Sequence, residues 1–375
     1  MSKKKLYPYL RDSGPIPPGL TIAETAEFYG VTQQELANRV GYDVSKIEGV
    51  MLGNIPITEE IAACLARVLG MDKDFLLRLE LNYQKQKADQ VNSEKLKLGL
   101  PVLKTAAVKE LKKRKIIQAG APLEEIDAVL RFYKAVTVDS LNKLQHNPTS
   151  ASLRHKRDHQ SDRLSLIAWL RLCELKAEKM EIRPYSEEKL CTALSALRSL
   201  TVALPKEFLP EMIRICAEVG VAVVCVPEFP SAYVKGAAKW LHKDKAVWLT
   251  QDKAMIALNL HENFNDIFWF TFFHEVSHIL SGRKRFLSNY SEILSNLTRL
   301  DEQEEKRANK FAERLLIPPK HNRKLKKLTL EEDILAFAAE IGIAPGIVVG
   351  RLQHEKIIGN NEFNCLKQTF RWREK

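Results

Sequence analysis

Between Gly19 and Gly70, apolar residues recur at three- and four-residue spacing in short runs, and each run is closed by a glycine. That pattern predicts helices over residues 21–29, 32–40, 43–52 and 58–69, with a fifth beginning near Asp72. Thr32 and Thr58 suit N-caps, with Glu35 and Ile61 three residues on. Short helices with one tight turn at Gly41-Tyr42 form the pattern of a helix-turn-helix bundle. Helical spacing resumes over residues 123–144, 164–179 and 186–200, interrupted by the polar His146-Asn147-Pro148-Thr149-Ser150. At Gly220 the character changes. Val221-Ala222-Val223-Val224-Cys225-Val226 is β-branched, apolar and stopped by Pro227, which predicts a buried strand; residues 246–250 and 255–260 are further strand candidates. Residues 335–340, a turn at Gly342 and residues 344–354 predict a last helix pair. The expected organisation is three-part: a helix-turn-helix domain over 1–90, a helical middle region over 91–204, and an α+β domain with a small β-sheet over 205–375.

Composition supports folding throughout, since 375 residues at 45% hydrophobic content exceed one ordinary core. No stretch approaches the roughly 18 uncharged apolar residues of a membrane span, and Met1-Ser2-Lys3-Lys4-Lys5 leads into no apolar signal core, so a cytoplasmic protein with no membrane contact is expected. Six scattered cysteines without a C-x-x-C pair read as reduced core residues. The net charge is +11, but its distribution matters more. Up to Asp89 there are eleven Lys and Arg against twelve Asp and Glu, whereas residues 91–165 carry fifteen against eight. The basic part is therefore the middle, where Lys112-Lys113-Arg114-Lys115 is the densest cluster and a solvated face competes with a nucleic-acid patch. Lys320 to Lys327 poses the same choice, with a solvated linker favoured, and His155 and His159 stand among charges that favour solvent exposure.

The chemistry concentrates in residues 266–280, which are apolar on nearly every side and so predict a central buried helix. His274-Glu275-Val276-Ser277-His278 places two imidazoles one turn apart on one face, close enough to share a zinc ion. Glu275 is left to act on water as general base, the arrangement of H-E-x-x-H metallopeptidases. A third ligand is required. Ser281 and Lys284 stand where a metzincin carries Gly and His, which points to a carboxylate instead. Residues 301–316 read as a helix with an apolar stripe of Ala308, Phe311, Ala312 and Leu315, and Glu304 or Glu305 beside it can face the histidines. His242, His261, Tyr233 and Tyr290 are candidates for stabilising an oxyanion, although a structural role is favoured for each.

Two resemblances sharpen this picture. Val31-Thr32-Gln33-Gln34-Glu35-Leu36-Ala37, with Gly41, Ser45, Ile47, Gly53, Pro56-Ile57-Thr58 and Ala62, resembles the Xre/Cro-type module of HigA antitoxins over residues 17–84. The resemblance implies a recognition helix over 43–52, with Gln33, Gln34, Ser45 and Lys46 as DNA-contacting candidates and a homodimer on operator DNA. Asp43 and Glu48 leave that helix poor in positive charge. The second resemblance covers residues 205–375. Phe268-Trp269-Phe270-Thr271-Phe272-Phe273-His274-Glu275-x-x-His278, followed by Glu305-x-x-Ala308-Asn309-x-Phe311-Ala312 and Leu315-Leu316-Ile317-Pro318, is similar to the ImmA/IrrE zinc metallopeptidases. It implies a zincin-like domain with His274, His278 and Glu305 on Zn²⁺ and Glu275 as general base. Arg307 stands where that family commonly has Glu, which favours Glu305 over Glu304. The combination implies a DNA-binding regulator that cleaves a specific protein such as a repressor or toxin-like partner. The alternative is a HigA-like antitoxin and autorepressor that binds its toxin directly, its zinc domain a sensor or scaffold.

Overall fold

A computed structural model describes residues 14–118, 120–146, 162–241, 253–260, 263–281 and 302–372. The chain is mostly helical with one small mixed sheet, and it forms two compact units, Met1–Leu100 and Pro101–Lys375.

The first unit is helical among its described residues: α1 Gly19–Phe28, α2 Gln33–Val40, α3 Val44–Met51, α4 Glu59–Leu69 and α5 Lys73–Lys97. Its local signals act as read. Thr32 Oγ1 accepts from Glu35 N at 3.2 Å and Thr58 Oγ1 from Ile61 N at 3.3 Å, each satisfying an orphan donor of its helix. Gly41 ends α2 at φ 76°, a conformation most side chains resist, and turns the chain into α3. Leu36, Ile47, Val50, Ile61, Leu65 and Leu76 fill the core. The expected boundary at 90/91 falls inside α5, because no Gly or Pro interrupts the chain between Asp72 and Gly99.

In the second unit, helices α6 Ala106–Lys113, α7 Pro122–Tyr133, α8 Val138–His146, α9 Arg163–Glu178, α10 Glu187–Ser199 and α11 Pro205–Glu218 precede the sheet. The strands are β1 Val221–Cys225, β2 Gly236–Leu241 and β3 Lys253–Leu258, in the order β1-β3-β2. β3 lies parallel to β1, with Val223 opposite Ile256, and antiparallel to β2, with Ala238 opposite Ile256. After the sheet come α12 Asn265–Leu280, α13 Glu302–Leu316, α14 Asn322–Leu325, α15 Glu331–Ile341 and α16 Pro345–His354. Of the expected strands, residues 221–226 form β1 and 255–260 overlap β3, two positions late; residues 246–250 lie outside the described residues.

The sheet has two covered faces. Val221, Val223, Ala254, Ile256 and Leu258 share a core with α11 and α12. Strand alternation turns Ala222, Val224, Met255 and Ala257 the other way, where α9 packs against β1 and β3. Trp169 of α9 donates its indole N–H to Val226 O at 3.0 Å. The expected boundary at 204/205 therefore does not separate compact units: α9 covers one face of the sheet and belongs with it. This explains why α9 is buried almost all round, a burial that its sequence periodicity leaves unspecified.

Charge is buried at this junction. Glu174 of α9 accepts from Arg171 at 3.0 Å and also pairs with Lys239 of β2. Removing the shared carboxylate takes one ion-pair partner from each of two buried cations, although Arg171 keeps its contact to Glu178 at 3.4 Å, and the loss costs on the order of 3 kcal/mol. Glu174→Ala should accordingly lower the urea midpoint of the full chain, and an unchanged midpoint would show that the cluster does not tie α9 to the sheet.

The basic middle is less open than its sequence implies. Lys112 pairs with Glu125 at 2.8 Å, and Arg114 donates to Pro227 O at 2.9 Å and Glu228 O at 2.6 Å while lying over the Phe229 ring. Two of the four cations at 112–115 thus hold the fold together. The cysteines divide as well: all are free, Cys173 and Cys216 are buried as expected, but Cys191 and Cys365 are exposed on helical surfaces that periodicity did not resolve. Among the described residues, no single helix is long and apolar enough to cross a membrane.

Candidate metal centre

α12 is held as a core element. Phe268, Trp269, Phe272, Phe273, Val276 and Ile279 bury its apolar faces, and Trp269 lies 4.9 Å from the Phe208 ring of α11. Its N-terminal end is fastened by the chain terminus: Asn265 N donates to Gln368 O at 2.9 Å, Phe370 N to Asn263 O at 2.7 Å, and Lys367 pairs with Asp266 at 2.7 Å. Lys367 also satisfies a carboxylate that favours the first turn of a helix. The remaining face of α12 carries His274 and His278.

Along that face His274 and His278 follow one another by a turn, and their Nε2 atoms stand 3.0 Å apart. Glu305 reaches them from α13, with Oε1 3.1 Å from His278 Nε2 and Oε2 3.4 Å from His274 Nε2. Ala308 and Ala312 explain the approach. They lie on the same side of α13 as Glu305 and are fully buried, so two small side chains let the helices close on each other. Arg198 caps the far end of α13, donating from Nε to Leu315 O and from Nη2 to Leu316 O at 2.9 Å each. Arg351 of α16 pairs with Glu313 at 3.1 Å.

One ligand atom each from His274, His278 and Glu305 lies within 4.8 Å of the others. Two imidazole nitrogens and a carboxylate oxygen converging in this way can hold a divalent transition metal. Of the two glutamates open from the sequence, the structure brings Glu305 to the histidines, and Glu304 is not in the group. Asn309, one turn beyond Glu305, has its Oδ1 2.9 Å from His274 Nδ1. If Nδ1 donates there, Nε2 is the free lone pair facing the cluster, the usual way a ligand histidine is oriented. Its i+4 relation to Glu305 was the signal available in the sequence for this role.

Electrostatics couple the group. Burial works against the ionised form of Glu305, but the bonds to His274 and His278 outweigh it and hold its carboxyl well below the usual range. Burial likewise disfavours a charged His274, and the bond to Glu305 with the charges of Glu275 and Glu305 overcomes it and raises the imidazole above its ordinary value. Glu275 differs. It is 8% exposed, and burial pushes its carboxyl up against the lowering effect of the two histidines and of a backbone N–H bond from Ala238.

That Ala238 contact brings β2 into the site. Asn259 N donates to Lys235 O, so residues 235, 237 and 239 form the hydrogen-bonded pairs with β3, while 236, 238 and 240 turn their backbone groups away from β3. The strand runs close over α12. A Cβ at Gly236 would come 2.6 Å from Thr271 Cγ2 and 3.2 Å from Glu275 Cγ, so only glycine fits there.

Other expected positions scatter. Tyr233 lies in the loop before β2 at φ 39°, and His242, His261, Tyr290, His155 and His159 fall outside the described residues. In the first unit Gln33, Gln34 and Ser45 are exposed at the first turns of α2 and α3, whereas Lys46 is half-buried with its Nζ 3.5 Å from the Tyr42 ring centroid. No family model, no curated protein and no solved structure matches the chain. The geometry of α12, α13 and β2 is therefore the ground on which a function can be argued.

Proposed function

We propose that this chain is a zinc-dependent metalloendopeptidase with an N-terminal helix-turn-helix module. The observation that carries the reading is the convergence of His274 and His278 of α12 with Glu305 of α13, beside a separate buried carboxylate, Glu275, next to His274 on α12. Three protein ligands of this chemistry suit zinc and leave a fourth position open, as a catalytic site needs. Zinc bound there supplies a Lewis acid for a carbonyl oxygen and makes water acidic enough to ionise near neutral pH.

Around it the chain's own residues divide the work. Glu275 accepts the proton of the attacking water and returns it to the leaving amine, a role suited to a carboxyl whose burial raises its proton affinity. Asn309 orients His274. Among the described residues no strand pairs with β2 on the side away from β3; apart from the Ala238 N–H held by Glu275, its main-chain groups there can receive an extended peptide, a mode of recognition with little demand on side chains. The resemblance to the ImmA/IrrE family supports a narrow protein substrate, a repressor or toxin-like partner. The test is elemental analysis of full-length protein purified without chelators, which should give about one zinc per chain. Metal-free protein that takes up no zinc on addition would leave the three residues as an ion-paired cluster and end the reading.

A second reading rests on the first unit, where Phe28 and Tyr29 stand 83% and 60% exposed. Exposed aromatics favour a protein partner and so a HigA-like antitoxin that grips its toxin directly. Operator binding is expected in either case, but Lys46 is engaged by Tyr42 while Asp43 and Glu48 face solvent. Few phosphates are then neutralised, and the slope of log affinity against log salt on the protein's own promoter should be shallower than about four. A steep slope would place the phosphate contacts elsewhere on the chain.

A further inference from the structure

The second half of α5 leaves the core of its unit and carries its apolar residues outward. Leu76 and Tyr83 are buried, but Leu81, Val91 and Leu98 are 69%, 44% and 73% exposed. They are not scattered. Leu81, Gln84, Ala88, Val91, Lys95 and Leu98 follow one another at alternating steps of three and four, all six are exposed, and together they draw one stripe along the last five turns of the helix and its C-cap. Sustained 3-4 spacing is the seam of a helix pair, and solubility disfavours exposed leucine at its two ends.

We infer that this stripe is the dimer seam of the protein, occupied by α5 of a second copy running antiparallel. The stripe's own order selects both occupant and direction. In a parallel pair every residue meets its equivalent, so Lys95 would face Lys95 across the seam, a like-charge contact in its interior. Reversing the second copy sets Leu81 against Leu98, Gln84 against Lys95, and Ala88 against Val91. Apolar then meets apolar, small meets large, and the one cation meets an amide oxygen. The flanks agree: Lys87 and Glu94, each just before a stripe position and each exposed, come side by side across the reversed seam and pair twice by symmetry. In the parallel arrangement their flanking neighbours would be the uncharged Asn92 and Gly99.

The inference is independent of the metal site and is tested by sedimentation equilibrium of the full chain. Wild type should sediment as a dimer. Leu81→Gln combined with Leu98→Gln should sediment as a monomer with an unchanged far-ultraviolet circular dichroism spectrum, since both side chains already face solvent. Lys87→Glu or Glu94→Lys alone should weaken the dimer several-fold, and the two together should restore it. A wild-type monomer at every concentration reached, or a dimer indifferent to the two glutamines, overturns the seam. A dimer lost with the glutamines but indifferent to the single charge reversals overturns the antiparallel direction.

Discussion

Glu275→Gln should keep its zinc and lose peptide hydrolysis by about 10²- to 10⁴-fold, the range that a positioned general base contributes. The substitution is nearly isosteric, which matters where the side chain is buried beneath β2 and beside Gly236. Its amide oxygen can still accept the Ala238 N–H, so the strand and the helix keep their register. The amide cannot take a proton from water, and only that function is removed. Relieving the burial of a carboxylate should also leave thermal stability at or above wild type. The measurement pairs zinc content with cleavage of a quenched-fluorescent peptide library, the cleaved bonds identified by mass spectrometry. Wild-type rates in the variant would show that Glu275 is not the base. Loss of zinc along with activity would make it a ligand.

The placement of Glu275 was legible because the sequence states it: two histidines and a glutamate at fixed spacing on a helix have one geometry whatever surrounds them. Glu305 was legible only in part. A stripe of Ala308 and Ala312 orients α13, but two adjacent glutamates differ by about 100° around a helix, and only packing against α12 decides between them. Strand β2 left almost no signal. Gly236-Ala237-Ala238-Lys239-Trp240-Leu241 contains no β-branched residue, and it is a strand because β3 supplies its hydrogen bonds and α12 requires its glycine. The domain boundaries failed to show for a related reason. Helical periodicity states that α9 is amphipathic or buried, not what buries it, and the sheet that does so lies some fifty residues further on. The role of Ala238 is a backbone one and has no sequence signature.

Zinc affinity should fall in a graded order as residues are removed outward from the cluster. His278→Ala and Glu305→Gln each delete one of three convergent donor atoms, and both should lose more affinity than any change outside the group. Asn309→Ala leaves the donors in place but releases His274 from the bond at 2.9 Å that fixes its ring, and such orienting partners are typically worth about 10- to 100-fold in metal affinity. Glu304→Gln should bind as wild type, because the neighbouring carboxylate is not in the group. Competition against a chromophoric chelator at fixed pH orders the four. The comparison separates a metal site from the ion-paired cluster that the same residues form without one. In such a cluster, losing Glu305 would leave two adjacent imidazoles without their carboxylate and would change stability, but it would move no zinc affinity at all. If Glu304→Gln weakens zinc and Glu305→Gln does not, α13 is turned by one residue from its described register. The Ala308–Ala312 stripe would then also have to leave the α12 interface, which substituting either alanine by leucine would reveal by costing no stability.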